Sequence, residues 1–432
     1  MYCVGLGSGG LKNVRQRQHY SPDPVQDQRP GFPPELTLLL SCLRWPQRPQ
    51  DIERIRAAAS IRLDWPLFLR LSLHHRVVPL VSHNLHAALG GSPSGDLGDV
   101  LAELKQLSTS SAHRALRCLA ELRRVVQELQ SRGIVVRVLK GMPLAQSVFG
   151  DLGLRSAGDI DLLIEEGAIL ETDRTLRELG YSGSVQVQRF SPRRLQFYRA
   201  HWKDVVYDGA GTGFEVDIHW RCFRNSAMPG TGLCATPAGE TVSFGGFRVQ
   251  TLPRTESLLY LCVHGTLDGW LYLKSLADVA AQVSAMSGPE LDNLAAQAER
   301  YGILPEFTAT MVLVRRYLGM DNWSALLLPA GNRAVRGILR YSDRVLVDGG
   351  FLAERDSIPI GSTLAFELGL RPALRYRFEL LLRVLFRVRM WETVPLPDFL
   401  FGLYPLLSPF EWAIHRLRLR WEKPASSGTL AT

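Results

Sequence analysis

From Glu35 to about Arg132, apolar residues recur at three- and four-residue steps: Leu101, Leu104 and Leu107, then Leu116, Leu119, Leu122, Val125, Val126 and Leu129. That period lines one face of a helix, and Gly133 supplies a stop. The texture then changes to a β-branched run, Ile134–Leu139, closed by Lys140-Gly141, which predicts a buried strand. A short helical segment with Pro143 near its first turn follows, then a loop over 150–158. A second strand is predicted at Asp159–Ile164, and a helix over Ala168–Leu179 closed by Gly180. Further strands are predicted at Asp204–Tyr207, Phe214–Trp220 and Phe247–Thr251. Beyond Pro253 the strand patterns cease. Helical periodicity covers Thr255–Ala285, with Gly265 and Gly269 as interruptions, then Leu291–Leu318 and Arg333–Val347.

The pattern divides the chain into five stretches. Residues 1–34 are a proline-spaced tail with too little to bury to offset its ordering entropy, and it is expected to be disordered. A helical entry region covers 35–132, an α/β core 133–252, a helical domain 253–395 and a basic, apolar C-terminal segment 396–432. The fold class is α+β, and no internal repeat of fixed period is present.

Composition excludes some classes. With 432 residues, 46% of them hydrophobic and 21% charged, the chain is neither collagen-like nor wholly disordered, and it can fill a sizeable core. The net charge of +8 favours acidic substrates, phosphates or anionic lipid surfaces. Six cysteines without a Cys-x-x-Cys pair argue against a zinc ribbon or a dense disulfide framework. Residues 1–10 carry no secretory pattern, and no run nears the ~18 apolar residues of a membrane span. The expectation is a soluble, reduced, cytoplasmic chain. Between Arg371 and Arg420, nine arginines face four acidic residues, and the run Phe399–Leu407 is strongly apolar. That segment fits either a peripheral contact with anionic lipid or a packed terminal helix pair with arginines turned to water.

Candidate chemistry centres on Asp159 and Asp161 in Gly158-Asp159-Ile160-Asp161-Leu162-Leu163-Ile164. On a strand, residues two apart share a face, so both carboxylates point one way while Ile160 and Leu162 enter the core. Close parallel carboxylates repel unless a cation sits between them, and a divalent metal is the usual answer. Taken alone, the pair also fits a solvated cap or turn. Phe214–Trp220 alternates cleanly, with Glu215, Asp217 and His219 on the polar face. If this strand lies beside the first, Asp217 completes a three-acid cluster suited to two-metal chemistry. Lys140-Gly141, at a strand-to-helix junction, offers backbone N–H groups and a charge to phosphate. His219 fits either a ligand or a hydrogen-bonded structural role, and His264 with Asp278 either an acceptor cleft or a buried contact. Trp220 and Trp270 read as core.

The run Leu139-Lys140-Gly141, then Leu154 to Ile164, then Val216-Asp217-Ile218-His219-Trp220 resembles the uncharacterised nucleotidyltransferase family of the polymerase-beta-like nucleotidyltransferase superfamily. The helical stretch Leu259–His264 with Trp270, Leu273 and Leu276–Ala280 adds to the likeness, which spans roughly 115–320. The resemblance implies a small mixed β-sheet core flanked by helical regions. It also implies Mg2+ (or Mn2+) held by Asp159, Asp161 and Asp217, and transfer of a nucleoside monophosphate from a nucleoside triphosphate to an acceptor hydroxyl. Lys140 and Gly141 stand where much of the superfamily carries Gly-Ser for the triphosphate. No serine follows Gly141, so Arg155 and Ser156 are the candidate substitutes. The acceptor would be a small molecule, peptide or protein; the core lacks a basic stripe with interleaved aromatics, which argues against nucleic acid. Two other readings use the same residues: a Mn2+-dependent glycosyltransferase built on the Asp-x-Asp, and a catalytically inactive binding module.

Overall fold

The computed structural model describes residues 31–90, 95–235, 239–320, 331–347 and 351–409. Five helices open it: α1 (Pro34–Ser41), α2 (Pro49–Ala59), α3 (Trp65–His74), α4 (Val78–Leu89) and α5 (Asp96–Ser131). A proline stands in the first turn of each of the first four, where a missing N–H forfeits no intrahelical bond. At the end of α5, Gly133 takes a positive φ, and the Ile134 N–H returns to the Leu129 carbonyl at 3.1 Å.

The strands are β1 (Val136–Val138), β2 (Ile160–Ile164), β3 (Ser182–Gly183), β4 (Asp204–Gly209), β5 (Phe214–His219), β6 (Glu240–Phe244) and β7 (Phe247–Thr251). Helices α6 (Met142–Leu144), α7 (Ile169–Glu178) and α8 (Pro192–His201) lie among them. All seven strands form one mixed sheet in the order β3-β4-β5-β2-β1-β7-β6, so β2 is central. The β2–β5 and β1–β7 pairs are parallel and the rest antiparallel. The fold class is the α+β arrangement expected. The sequence pattern did not predict β3, β6 or α8. Yet β6 had a signal: Gly245-Gly246, both at positive φ, make a two-residue hairpin turn to β7.

The sheet separates two apolar cores. Ile160, Leu162 and Ile164, with Val216 and Ile218 of β5, pack with Leu122, Val125, Val126 and Leu129 of α5. On the other face Leu163 joins a core shared with the helical regions. After β7 come α9 (Arg254–Leu267), α10 (Leu273–Ser284), α11 (Gly288–Arg300), α12 (Leu304–Leu318), α13 (Arg333–Val347), α14 (Ile360–Leu370), α15 (Leu374–Leu385) and α16 (Val388–Thr393). No helix among the described residues is long and apolar enough to cross a membrane.

Three expectations need correction, and the C-terminal segment, for which two readings were open, is described in part. The all-reduced reading fails at Cys222 and Cys234, which form a disulfide just after β5 with Cα atoms 5.8 Å apart. Scattered cysteines do not preclude one pair once a loop doubles back. Residues 1–30 lie outside the described residues, but the end of the predicted tail is ordered: Pro34 opens α1, and Phe32 stacks on Tyr317 at 5.5 Å between centroids. In the C-terminal segment Phe401 and Tyr404 are buried with Trp391 under the sheet, while Phe399 and Leu406 stay exposed. Its last arginines, Arg416, Arg418 and Arg420, lie outside the described residues. Gly265, expected as an interruption, sits inside α9, because the buried Trp270 ring lies against it.

A Cβ on Gly265 would come within 2.5–2.7 Å of three ring atoms of Trp270. Alanine gains about 1 kcal/mol of helix propensity, whereas overpacking costs about 1–3 kcal/mol, and the ring is buried on a residue whose backbone N–H donates to the Gly265 carbonyl at 2.8 Å, so it cannot step aside. Gly265→Ala is therefore expected to lower the denaturant midpoint; an unchanged or raised midpoint contradicts this packing.

Candidate functional site

The parallel pairing of β2 with β5 sets Asp161 opposite Asp217 and Leu163 opposite His219. All four face away from the α5 core, towards the helices that follow the sheet. Asp161 is 4% exposed and His219 1%, while Asp217 is partly open. One ligand atom from each of Asp161, Asp217 and His219 lies within 4.8 Å of the other two. His219 Nε2 is 3.1 Å from Asp217 Oδ2 and 3.4 Å from Asp161 Oδ1, and Lys140 Nζ is 3.2 Å from Asp161 Oδ1. Lys203 donates to His219 Nδ1 at 3.0 Å, which leaves Nε2 to carry the ring proton towards the carboxylates.

Opposing forces act on each group. Burial pushes the Asp161 carboxyl up, but Lys140 and then His219 outweigh it and hold it well below the usual carboxylate range. Burial and Lys203 push the His219 imidazole down, and Asp217 with Asp161 more than reverse this. Burial likewise lowers Lys140, and Asp161 overcomes it, so the ammonium is held charged.

The cluster has spare donor capacity. Asp217 Oδ1 and His219 Nε2 are buried and have no well-aligned hydrogen-bond partner. Buried polar atoms are normally satisfied, so orphans on neighbouring residues fit a bound cation. Two carboxylates and an imidazole could hold a divalent metal, with Nε2 losing its proton on binding.

The cluster opens into a cavity of about 540 Å³ between the sheet and α9, α10, α14 and α15. Asp159 stands outside the cluster: it is exposed, just before β2 begins, and lines the same cavity. Glu215 is exposed, and burial with Asp159 pushes its carboxyl up. Gly141 (φ +81) caps α6, with its ideal Cβ position 3.8 Å from the Asp159 carbonyl. Arg155 spends its guanidinium fork on Asp278, at 2.9–3.1 Å, with both side chains buried. Ser156 donates to the Arg76 carbonyl at 2.8 Å. His264 lines the cavity 3.3 Å from Asp268; burial drives its pKa down to about 4 although Asp268 opposes this. Trp220 and Trp270 are buried. A larger cavity of about 760 Å³ lies elsewhere, and none of the acidic cluster lines it.

Sequence reasoning missed Lys203, Asp204 and Asp268. The first two had a signal: once β4 is set antiparallel to β5, Asp204 falls opposite His219. Asp268 had none, since it faces the site only after α9 has folded back.

One family profile, described as uncharacterised nucleotidyltransferase, matches residues 62–319, more than half of the chain. The chain belongs to this family. No curated protein matches it. Family membership supports general nucleotidyl transfer, and the match holds both strands of the acidic cluster, Lys140 and helices α9 and α10. It ends before α14 and α15, which close the cavity.

Two measurements test the geometry. Removing one member of a buried ion pair strands the other, so Asp278→Ala is expected to cost about 3–5 kcal/mol by denaturant unfolding. A cost below 1 kcal/mol would show that Arg155 does not depend on it. Lys274 donates to the Ser156 carbonyl and faces Arg155, Asp278, Lys140 and Arg76; burial, then Arg155, lowers its pKa to about 7 from an ordinary 10.5. The unfolded chain then binds more protons at Lys274 between those values, so this residue makes stability rise with pH across the window. Unfolding of parent and Lys274→Met at pH 6.5, 8 and 9.5 is expected to show the parent gaining on the variant as pH rises. A constant difference contradicts it.

Proposed function

We propose that the protein is a Mg2+- or Mn2+-dependent nucleotidyltransferase that moves a nucleoside monophosphate from a nucleoside triphosphate to a hydroxyl of an acceptor molecule, with pyrophosphate as the leaving group. The observation that carries this reading is the pairing of Asp161 with Asp217 across parallel strands, with Asp217 Oδ1 buried and unpartnered. In this reading Asp161, Asp217 and His219 hold the cation and Asp159 joins them from the cavity mouth. The ion, when bound, would neutralise the triphosphate and lower the pKa of the acceptor hydroxyl.

The chain's own groups do the rest. Asp217 is the candidate to accept the acceptor's proton, because both cluster carboxylates line the cavity and Asp217 is the more exposed of the two. His219 orients Asp217 and is itself fixed by Lys203 through Nδ1. Lys140 compensates Asp161 in the free protein and, with Gly141, stands on the donor side where phosphate charge would arrive. Arg155 and Ser156 support that side by fixing its backbone: Arg155 reaches the Gly141 carbonyl at 3.4 Å, and Ser156 ties to Arg76.

The test is incubation with each α-labelled nucleoside triphosphate, Mg2+ or Mn2+, and cell extract, followed by identification of the labelled component. Transfer of label by the parent, and its loss by about 10²-fold or more in Asp161→Asn and Asp217→Asn, is the expected result. Calorimetry is expected to show divalent-cation binding lost in the same variants. Label transfer that persists in Asp217→Asn, or a parent that binds neither cation nor nucleotide, would overturn the assignment.

A further inference from the structure

The cations lining the cavity are mostly paired. Lys140 faces Asp161, Lys203 faces Asp204, Arg155 faces Asp278 and Arg355 lies 3.1 Å from Asp268. Among the described residues Arg76 has no carboxylate but lies over the Tyr272 ring, and Lys274 donates to the Ser156 carbonyl. Arg224 and Arg383 have no partner of either kind there. Both line the cavity, and neither has a hydrogen bond or a carboxylate within 4.0 Å among the described residues. Arg383 on α15 is half-buried, and Arg224 follows the β5 exit. Burial, then the like charge of Arg224, makes the Arg383 guanidinium harder to keep protonated. Glu367 of α14 is the nearby acid, and burial raises its pKa despite both arginines. Two neighbouring guanidiniums present ten N–H donors, a costly arrangement unless an anion arrives to use them.

Their position relative to the acidic cluster indicates which substrate they would meet. Across the sheet the order is β4, β5, β2, β1. Lys140 and Gly141 follow β1 on one side of the Asp161–Asp217 pair. Arg224 follows β5 on the other, and Arg383 is within electrostatic reach of Asp204 on β4. The acids therefore lie between the donor side and the arginine pair.

We propose that Arg224 and Arg383 form an oxyanion subsite for the acceptor, so that the acceptor is a hydroxyl compound carrying a phosphate group. This rests on the nucleotidyl-transfer reading of the acidic cluster. A guanidinium pair matches tetrahedral phosphate oxygens through forked, charge-assisted bonds. Arg383 comes from outside the family-matched residues, so the subsite would separate this chain from family members without the C-terminal helices.

The test uses the full chain and inorganic phosphate as probe, titrated by calorimetry without divalent cation, beside a separate titration with a nucleoside triphosphate plus Mg2+. Arg224→Gln and Arg383→Gln are each expected to weaken phosphate binding about tenfold or more while changing nucleotide binding less than about twofold. Arg224 is exposed, so its variant tests the subsite without threatening the fold, and Arg383→Lys is expected to restore part of the loss. Asp217→Asn is expected to keep phosphate binding while losing the cation, so failure of the transfer reading and failure of the subsite give different results. The proposal is overturned if the parent binds no phosphate, if both arginine variants bind it like the parent, or if nucleotide binding falls as much as phosphate binding. The last outcome would assign the pair to the donor's triphosphate tail.

Discussion

Parallel pairing of β2 and β5 brings two carboxylates to the same side of the sheet at the same height, an arrangement that electrostatics alone would oppose. Two unit charges about 4 Å apart at an effective dielectric near 20 repel by about 4 kcal/mol. The opposite face of the same strands buries Ile160, Leu162, Ile164, Val216 and Ile218, together worth on the order of 10 kcal/mol. Because side chains alternate, slipping one strand by one residue would relieve the acids only by turning that strand's share of these residues, three on β2 or two on β5, out of the core. The apolar face thus enforces the acidic one. The remaining strain is met locally by Lys140 and His219, which hold Asp161 ionised.

The same division into faces explains why the C-terminal helices matter to a site they do not found. Helices α14 and α15 close the cavity above the acids, and Trp391, Phe401 and Tyr404 seal the core beneath the sheet. One continuous stretch therefore covers both faces of the sheet. The cavity mixes paired charges on all sides, so its potential is set by the cations whose carboxylates are missing, not by the count of charged groups. Among the described residues these include Arg224 and Arg383, one from the family-matched region and one from beyond it, beside Arg76 and Lys274.

How much of this was legible in the sequence depended on whether the signal was local. The two-residue alternation of Phe214–Trp220 fixed the face of Asp217 and His219 before any neighbour was known, and α13 has the bounds its periodicity predicted. Gly265 was misread because a glycine in a helical pattern reads as a break until a tryptophan five residues on is seen lying against it. Lys203 and Asp204 needed the strand pairing, Asp268 needed the fold of α9, and Arg383 needed the return of a helix more than 150 residues downstream of β5. No local pattern encodes such distances.

Asp159 and His219 show where spacing stops informing. Asp-x-Asp spacing says that residues 159 and 161 share a face, but not how deep each lies. The strand begins at Ile160, so Asp161 is buried, in register with Asp217 on one side and its carbonyl accepting from the Leu139 N–H on the other, whereas Asp159 sits before the ladder and is exposed. On β5 the polar face continues inward from Asp217 to His219, which the register sets opposite Leu163, within the sheet. The face that holds Asp161 therefore meets an imidazole at depth and a second aspartate at the rim. A cation seated deep would be drawn to Asp161, Asp217 and His219, and one at the rim to Asp159 with Asp161 and Asp217. The two carboxylates common to both sets are those in register on parallel strands, and their geometry, not the Asp-x-Asp repeat, is what would confine a cation to this end of the sheet.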